Sequence, residues 1–451
     1  MSTGNIQADE PIKAPAFTVA ESASINKLTI VFIICFLTTF LAGIVSMLMS
    51  VYLPVAVKDL LGNVSEEKMN DVSALINSLF IFGWMFGGIA WGIISDRIGR
   101  SKSVILSTAC FGLFAIVTAL SSSWLLVSVS RFLSGFGIGG VLVTTVILIE
   151  ELWTAKKKAI IQGFVSLAVP VGFFAAGAIN NYTKDWQMAF WIGVVPLLLA
   201  IIAAFTLPES EKWKIDKQTK GKKENVNRSL FAPGHRTNLL TGSVVFGTML
   251  IGLWAVFAWA PTWVQSISTS TDVQSQRGTV MMILAGSGIA GGFFSGWIVN
   301  AIGLRKTMLI CFAVVFIMIF LAFKLSKDIT STTFVEIGVL AFFFGISQGA
   351  LAVYIPSLFP TAIRASATGF CFNAGRLFTA TVVFFIGALV TMLGGYGNAV
   401  FIFSFILVIG LVVTFFSKDK ASSRPSPKEK AIRTQPSLFK DPTFNRSRRK
   451  C

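Results

Sequence analysis

The sequence predicts an all-α membrane protein whose twelve transmembrane helices form two six-helix bundles. Three observations predict it. The chain is 54% hydrophobic and only 13% charged over 451 residues, with a mean hydropathy of +0.74. Soluble domains carry about a quarter charged residues because most of their surface meets water, so that class is excluded. A bilayer core of about 30 Å needs roughly 20 apolar residues per helix, and runs of that length recur along the chain. Short motifs of the first half also return, in order, in the second half.

Residues 1–27 are polar and mildly acidic with no apolar core, so they predict a cytoplasmic segment and no cleavable signal. The predicted spans are 28–53, 73–95, 103–121, 124–149, 159–179 and 187–207, then 239–264, 279–302, 307–325, 333–357, 365–389 and 397–416. Pro54, Pro170, Pro196, Pro261 and Pro356 fall in or beside them, where neighbouring helices can satisfy the freed backbone groups. Residues 28–207 therefore make an N-terminal bundle and 239–416 a C-terminal one. The polar segment 208–238 is read as the loop between them, and 417–451 as a basic, disordered tail.

The formal charge of +17 could suggest nucleic acid. With both termini cytoplasmic, however, 30 of the 38 Lys and Arg lie inside, 6 outside and 2 within spans. Basic residues concentrate on cytoplasmic loops by the positive-inside rule, so the excess faces anionic membrane lipids and a nucleic-acid partner is not expected. The single histidine, His235, falls in the central loop, which excludes a histidine proton relay inside the bundle. The five cysteines show no paired spacing, so neither a disulfide framework nor a metal site is expected. No phosphate-binding Gly-x-x-x-x-Gly-Lys loop appears, so neither a nucleotide cofactor nor ATP-driven pumping is expected.

The repeats are specific in spacing. Tyr52-Leu53-Pro54 returns as Trp259-Ala260-Pro261, 207 positions on. Gly92-Ile-Ile-Ser-Asp96-Arg97-Ile-Gly99-Arg100-Ser-Lys102 returns from Gly296 as Gly-Trp-Ile-Val-Asn300-Ala-Ile-Gly303-Leu-Arg305-Lys306, offset by 204. Glu151-Leu with Lys158 seven residues on returns as Ser357-Leu with Arg364 seven on, offset by 206. Three anchors at nearly one offset predict a duplicated six-helix unit. Such repeats place a substrate site near the midplane between halves that rock against each other.

The Gly92–Lys102 loop resembles the signature loop of the major facilitator superfamily. Arg131-Phe-Leu-Ser-Gly135-Phe-Gly137-Ile-Gly139 resembles its fourth-span motif. Pro208-Glu209-Ser210 with Trp213 resembles the sugar-porter and metabolite:proton symporter branches. Leu358-Phe359-Pro360-Thr361 with Arg364, followed by Gly369-Phe-Cys-Phe-Asn373-Ala-Gly375-Arg376, is most similar to symporters of aromatic acids, other organic acids and sialic acid. The resemblance implies the major facilitator fold, alternating access and gating roles for Gly92, Asp96, Arg97, Gly99, Arg100, Arg131, Glu151, Lys158 and Arg364. Departures limit the transfer. The seventh span lacks the paired glutamines and asparagine that sugar porters use. The first has no Asp or Glu between Leu28 and Val57, where relatives often carry the coupling carboxylate.

Arg376 is the leading substrate candidate. It lies twelve residues past Arg364, about 18 Å deep at 1.5 Å per residue. An arginine near the midplane costs at least about 2.5–3.5 kcal/mol on insertion scales, and its planar fork recognises a carboxylate with two parallel bonds. Backbone carbonyls could satisfy it equally well. Asn373, one turn earlier on the same face, extends the candidate site. Trp254, Trp259 and, in the matching place of the first span, Tyr52 could line a ring-bearing substrate, or anchor at the interface. Arg131 lacks its usual acidic partner, which favours a role in packing or gating. No buried carboxylate stands out as a proton carrier.

The sequence thus predicts a monomeric plasma-membrane carrier, in the inner membrane if the cell is bacterial. It moves a small organic anion with protons. A neutral sugar or polyol carrier is the alternative within transport. A transporter-shaped receptor, suggested by the basic tail, is the alternative of another class.

Overall fold

A computed structural model of the protein describes residues 25–153, 155–218, 233–359 and 363–417. The flanking segments, most of the central connection and Pro360 and Thr361 of the eleventh-span motif lie outside the described residues. So do the side chains of Lys158 and Arg364.

Twelve helices are long and apolar enough to cross a membrane, and no strand occurs among the described residues. In the first half they run Lys27–Leu61, Glu66–Ile98, Arg100–Ala119, Trp124–Leu152, Ile160–Tyr182 and Trp186–Thr206. The second half holds Pro233–Ile267, Val273–Ile302, Leu304–Leu325, Ser331–Ser357, Ala367–Ala388 and Tyr396–Phe416. The even number of spans among the described residues puts residues 25 and 417 at one end of the bundle, the terminal face; the other is the opposite face.

Every predicted span is present, and several helices run past it. The second begins at Glu66 because Ser65 caps it, accepting from the Lys68 amide, with Glu66 and Glu67 in the positive first turn. Hydropathy marks only the hydrocarbon core, whereas these turns lie in the headgroup layer. The predicted central loop also differs. It contains a helix over Glu211–Gln218, and Pro233 opens the seventh span, as suits a residue with no amide to leave unpaired. His235 therefore stands in the first turn of a helix, still at the terminal face.

The two halves repeat each other in packing. The second span packs on the fourth as the eighth does on the tenth, and the first on the fifth as the seventh does on the helix Arg364–Ala388. The register is the same in both. A Cβ on Gly87 would collide with the Phe136 carbonyl, and one on Gly291 with the Phe342 carbonyl, positions offset by 204 and 206. Gly99 and Gly303 turn the chain between spans with φ of 116° and 88°, a region that penalises any side chain. The duplication is thus built into the backbone, where only small residues allow the helices this close.

Between halves, the second span meets the eleventh, the fifth the eighth, and the first the seventh. Near the opposite face these seams are tight. Asn180 Nδ2 donates to the Gln274 carbonyl at 2.7 Å, and Gln274 Nε2 donates to the Asn180 and Thr183 carbonyls. Tyr396 donates to Asn70 at 2.6 Å and Asn70 to Thr391 at 3.0 Å. Towards the terminal face the same helices part: Cβ atoms on Gly163, Gly296 and Gly369 would meet open space. The molecule is closed at the opposite face and open at the terminal one.

Candidate functional site at the midplane

Arg376 lies halfway along the 25-residue helix Arg364–Ala388, at the depth where the closed and open parts of the seam meet. Its Nη1 reaches Asn373 Oδ1 at 3.5 Å, and its guanidinium carbon lies 5.9 Å from the Trp84 ring centre, across the boundary between halves. Among the described residues no carboxylate pairs with it. Asn373 spends its Nδ2 on the Gly369 carbonyl at 3.0 Å, which leaves its oxygen towards the arginine.

Beyond Trp84, further ring pairs line the neighbouring helices. Trp84 meets Trp254 edge-on with centroids 5.3 Å apart, and Phe173 meets Trp254 at 6.5 Å. Phe246 stacks on Phe372 at 4.3 Å. Gly375, beside Arg376, is what admits Phe246, since a Cβ there would lie 2.7 Å from the ring. Rings and a single fixed cation suit a small, flat anion: the walls offer dispersion and ring-edge contacts, and the guanidinium supplies the polar handle.

Of the expected substrate contacts, the structure therefore brings Arg376, Asn373 and Trp254 together. It places Tyr52 and Trp259 elsewhere, in the sealed half. Tyr52 is wholly buried and its hydroxyl donates to the Thr183 carbonyl at 2.6 Å. Trp259 is equally buried, donating to the Val383 carbonyl at 3.2 Å and lying against the Tyr396 ring. Both aromatic bodies fill the seam and both polar tips satisfy helix carbonyls. Trp84 is the wall residue that sequence reasoning missed, although a tryptophan between Gly83 and Gly87 in a span interior was a usable signal.

The gating residues divide similarly. Arg131 is 1% exposed; Nη1 and Nη2 donate to the Val45 and Ser46 carbonyls at 3.0 and 3.2 Å, and Phe80 covers it at 4.1 Å. It ties the fourth span to the first without an acid. At the terminal face Arg100 pairs with Asp96 at 2.8 Å and Glu151 at 3.0 Å. The third span is capped by Glu209. Its Oε1 accepts from the Arg100 and Ser101 amides at 2.7 and 3.1 Å, at the positive start of the third span. Trp213 donates to the Asp96 carbonyl at 3.0 Å, so the Pro208-Glu209-Ser210 motif clasps the signature loop. Gly99 leaves room for that carboxylate. Arg97 is exposed and Gly92 half-buried at the same end.

A duplicated twelve-helix bundle, closed at one face around a midplane cation, defines an integral membrane carrier of the alternating-access kind. Comparison with known proteins gives the family. The sequence pattern of the Major Facilitator Superfamily matches residues 35–378 and 274–447, and the chain belongs to that superfamily: it is a transporter, not an enzyme. It is 25% identical over 369 residues to the cis,cis-muconate transport protein of Acinetobacter baylyi, covering 79% of this chain and 88% of that one. It is 23% identical over 429 residues to the 4-hydroxybenzoate transporter of Pseudomonas aeruginosa, covering 87% and 92%. The inward-open xylose transporter of Escherichia coli superposes with a TM-score of 0.73 at 17% identity, over 90% of this chain and 99% of that one, a likeness of fold alone.

Proposed function

We propose that the protein imports a small, flat organic anion by proton-coupled symport, with Arg376 holding the substrate carboxylate. The observation that carries this reading is a midplane guanidinium with no carboxylate partner among the described residues and the Trp84 ring of the other half 5.9 Å away. A half-buried arginine with no acid beside it among the described residues is balanced when an anion binds. Muconate and 4-hydroxybenzoate, the compounds named for two relatives, have that chemistry. A polyhydroxylated sugar needs a row of hydrogen-bonding side chains, whereas the groups recorded around Arg376 are Asn373 and the Trp84 ring.

The terminal face is cytoplasmic on this reading, because basic residues gather there, so the conformation is inward-facing. Trp84 belongs to one half and Arg376 to the other, so a flat anion between them bridges the halves and favours closure around itself. Rocking then exposes the site to the other side. Among the described residues the proton has no carboxylate beside Arg376 to ride on, and the substrate carboxyl or the acids at the terminal face take that role.

The test is uptake into proteoliposomes of cis,cis-muconate, 4-hydroxybenzoate and xylose, with and without an inward proton gradient. The anions should be concentrated only with the gradient and xylose not at all. Uptake of xylose alone would replace the anion reading with a sugar carrier. Binding without counterflow would make the protein a receptor.

A further inference from the structure

The closed seam holds a second cation that the midplane site does not use. Arg277 lies four residues into the eighth span, about 6 Å from its end and about 12 Å nearer the opposite face than Arg376. It is 2% exposed. Its Nη1 donates to Gln265 Oε1 at 2.8 Å, while its Nε is buried with no hydrogen-bond partner, and no carboxylate pairs with it among the described residues. A guanidinium has five donors and no way to shed its charge, so leaving one buried and unmet is costly.

Its surroundings show when that donor is met. Gln265 belongs to the seventh span, in the same half, and travels with Arg277. The wall in front belongs to the other half: Tyr52 lies within electrostatic reach, with its hydroxyl engaged on the Thr183 carbonyl. Gln274, three residues earlier, stitches the eighth span to the fifth. A Cβ on Gly278, the next residue, would collide with the Asn181 side chain. Arg277 thus sits in the seam that parts when the opposite face opens, and the closed seam leaves no room for an anion beside it.

We propose that Arg277 is an anion-recruiting site of the opposite-face vestibule. Once the seam parts, its idle Nε and remaining donors receive the carboxylate of an arriving substrate, and closure displaces that anion inward to Arg376. The proposal rests on the organic-anion reading above. It makes the protein bind the same substrate with two arginines in succession, one for each stage of entry.

The test is initial-rate transport by the full chain in oriented proteoliposomes, with cis,cis-muconate and 4-hydroxybenzoate offered from each face in turn. Arg277→Gln removes the charge and keeps a donor for Gln265. It should raise KM from the opposite face roughly ten- to a hundredfold, the effect of one charge-assisted bond. KM from the terminal face should change less than about twofold, because uniform binding to Arg376 is untouched. The salt dependence of the opposite-face KM should also shrink. An arginine that merely seals the seam predicts the reverse sign: a weaker seal populates the form open to the opposite face and lowers KM there. A lowered KM, an unchanged one, or equal change at both faces overturns the proposal. Arg277→Lys should keep the salt dependence that Arg277→Gln loses; its loss there would also overturn it. If the wild type takes up neither anion from either face, the organic-anion reading itself fails, and the recruiting site with it.

Discussion

Two arginines inside the membrane, Arg131 in the first half and Arg376 in the second, differ in one respect that separates structure from function. Arg131 spends two donors on carbonyls of the first span and is capped by Phe80. Arg376 has only a long contact to Asn373 and a ring of the other half. An arginine whose two terminal nitrogens are held by backbone carbonyls is a strut, even with its Nε unmet, and one whose fork is left open is a binding group. The repeat makes this contrast sharper, because the place of Arg376 on the eleventh span, offset by 206, is held on the fifth span by Pro170. The same fold element therefore carries a cation in one half and none in the other, and the substrate site is lopsided within a symmetric scaffold.

The largest effect should come from the strut. Arg131→Ala should lower stability by about 2–4 kcal/mol, since a buried side chain and two charge-assisted bonds are lost together. Substrate affinity of the folded fraction should stay at the wild-type value. Thermal unfolding and binding on one preparation check both, and a loss of affinity with stability intact would erase the distinction between the two arginines.

The terminal-face loops extend the comparison. In the first half Glu209 caps the third span; at the position offset by 206 the second half has Phe415, whose carbonyl accepts from Arg305. Glu209→Gln should cost about 1–2 kcal/mol, as the loss of a charged helix cap does. Arg305→Ala should cost less, about 0.5–1 kcal/mol for one exposed hydrogen bond. Equal losses in urea-induced unfolding would show that Glu209 contributes nothing beyond a single bond.

The fold was almost wholly legible in the sequence, because twelve apolar runs and the offsets of Pro54, Asp96 and Glu151 follow directly from bilayer thickness and duplication. Arg376 was legible for the same reason: a charge at midspan has to be accounted for. Tyr52 and Trp259 were not, since an aromatic in a span reads alike whether it faces substrate or fills a seam. Arg277 was hidden by its nearness to a span end, where hydropathy treats an arginine as a loop residue. Glu209 was visible only as part of a motif; its capping role depends on the third span starting beside it in space.

The smallest effect is at the opposite face. Asp328 accepts from the Thr269 amide and hydroxyl at 3.1 and 2.6 Å, and these bonds hold its carboxyl below the ordinary value of 3.8. A depressed value contributes stability above the unfolded pKa that is lost as pH falls through the folded one. Asp328→Asn should therefore reduce the drop in melting temperature below about pH 4 that the wild type shows, with no change near neutrality. An identical acid limb in both proteins would remove this clamp from the account.

The most direct measurement is equilibrium binding of cis,cis-muconate and 4-hydroxybenzoate to purified, monodisperse wild type, Arg376→Lys and Arg376→Ala. Lysine keeps the charge but not the planar fork, so affinity should fall roughly ten- to a hundredfold, as for loss of one charge-assisted bond. Alanine should bind more weakly still, with Arg131→Ala unchanged beside it. Wild-type affinity in Arg376→Ala would contradict the claim that the unpaired midplane arginine is the substrate's partner.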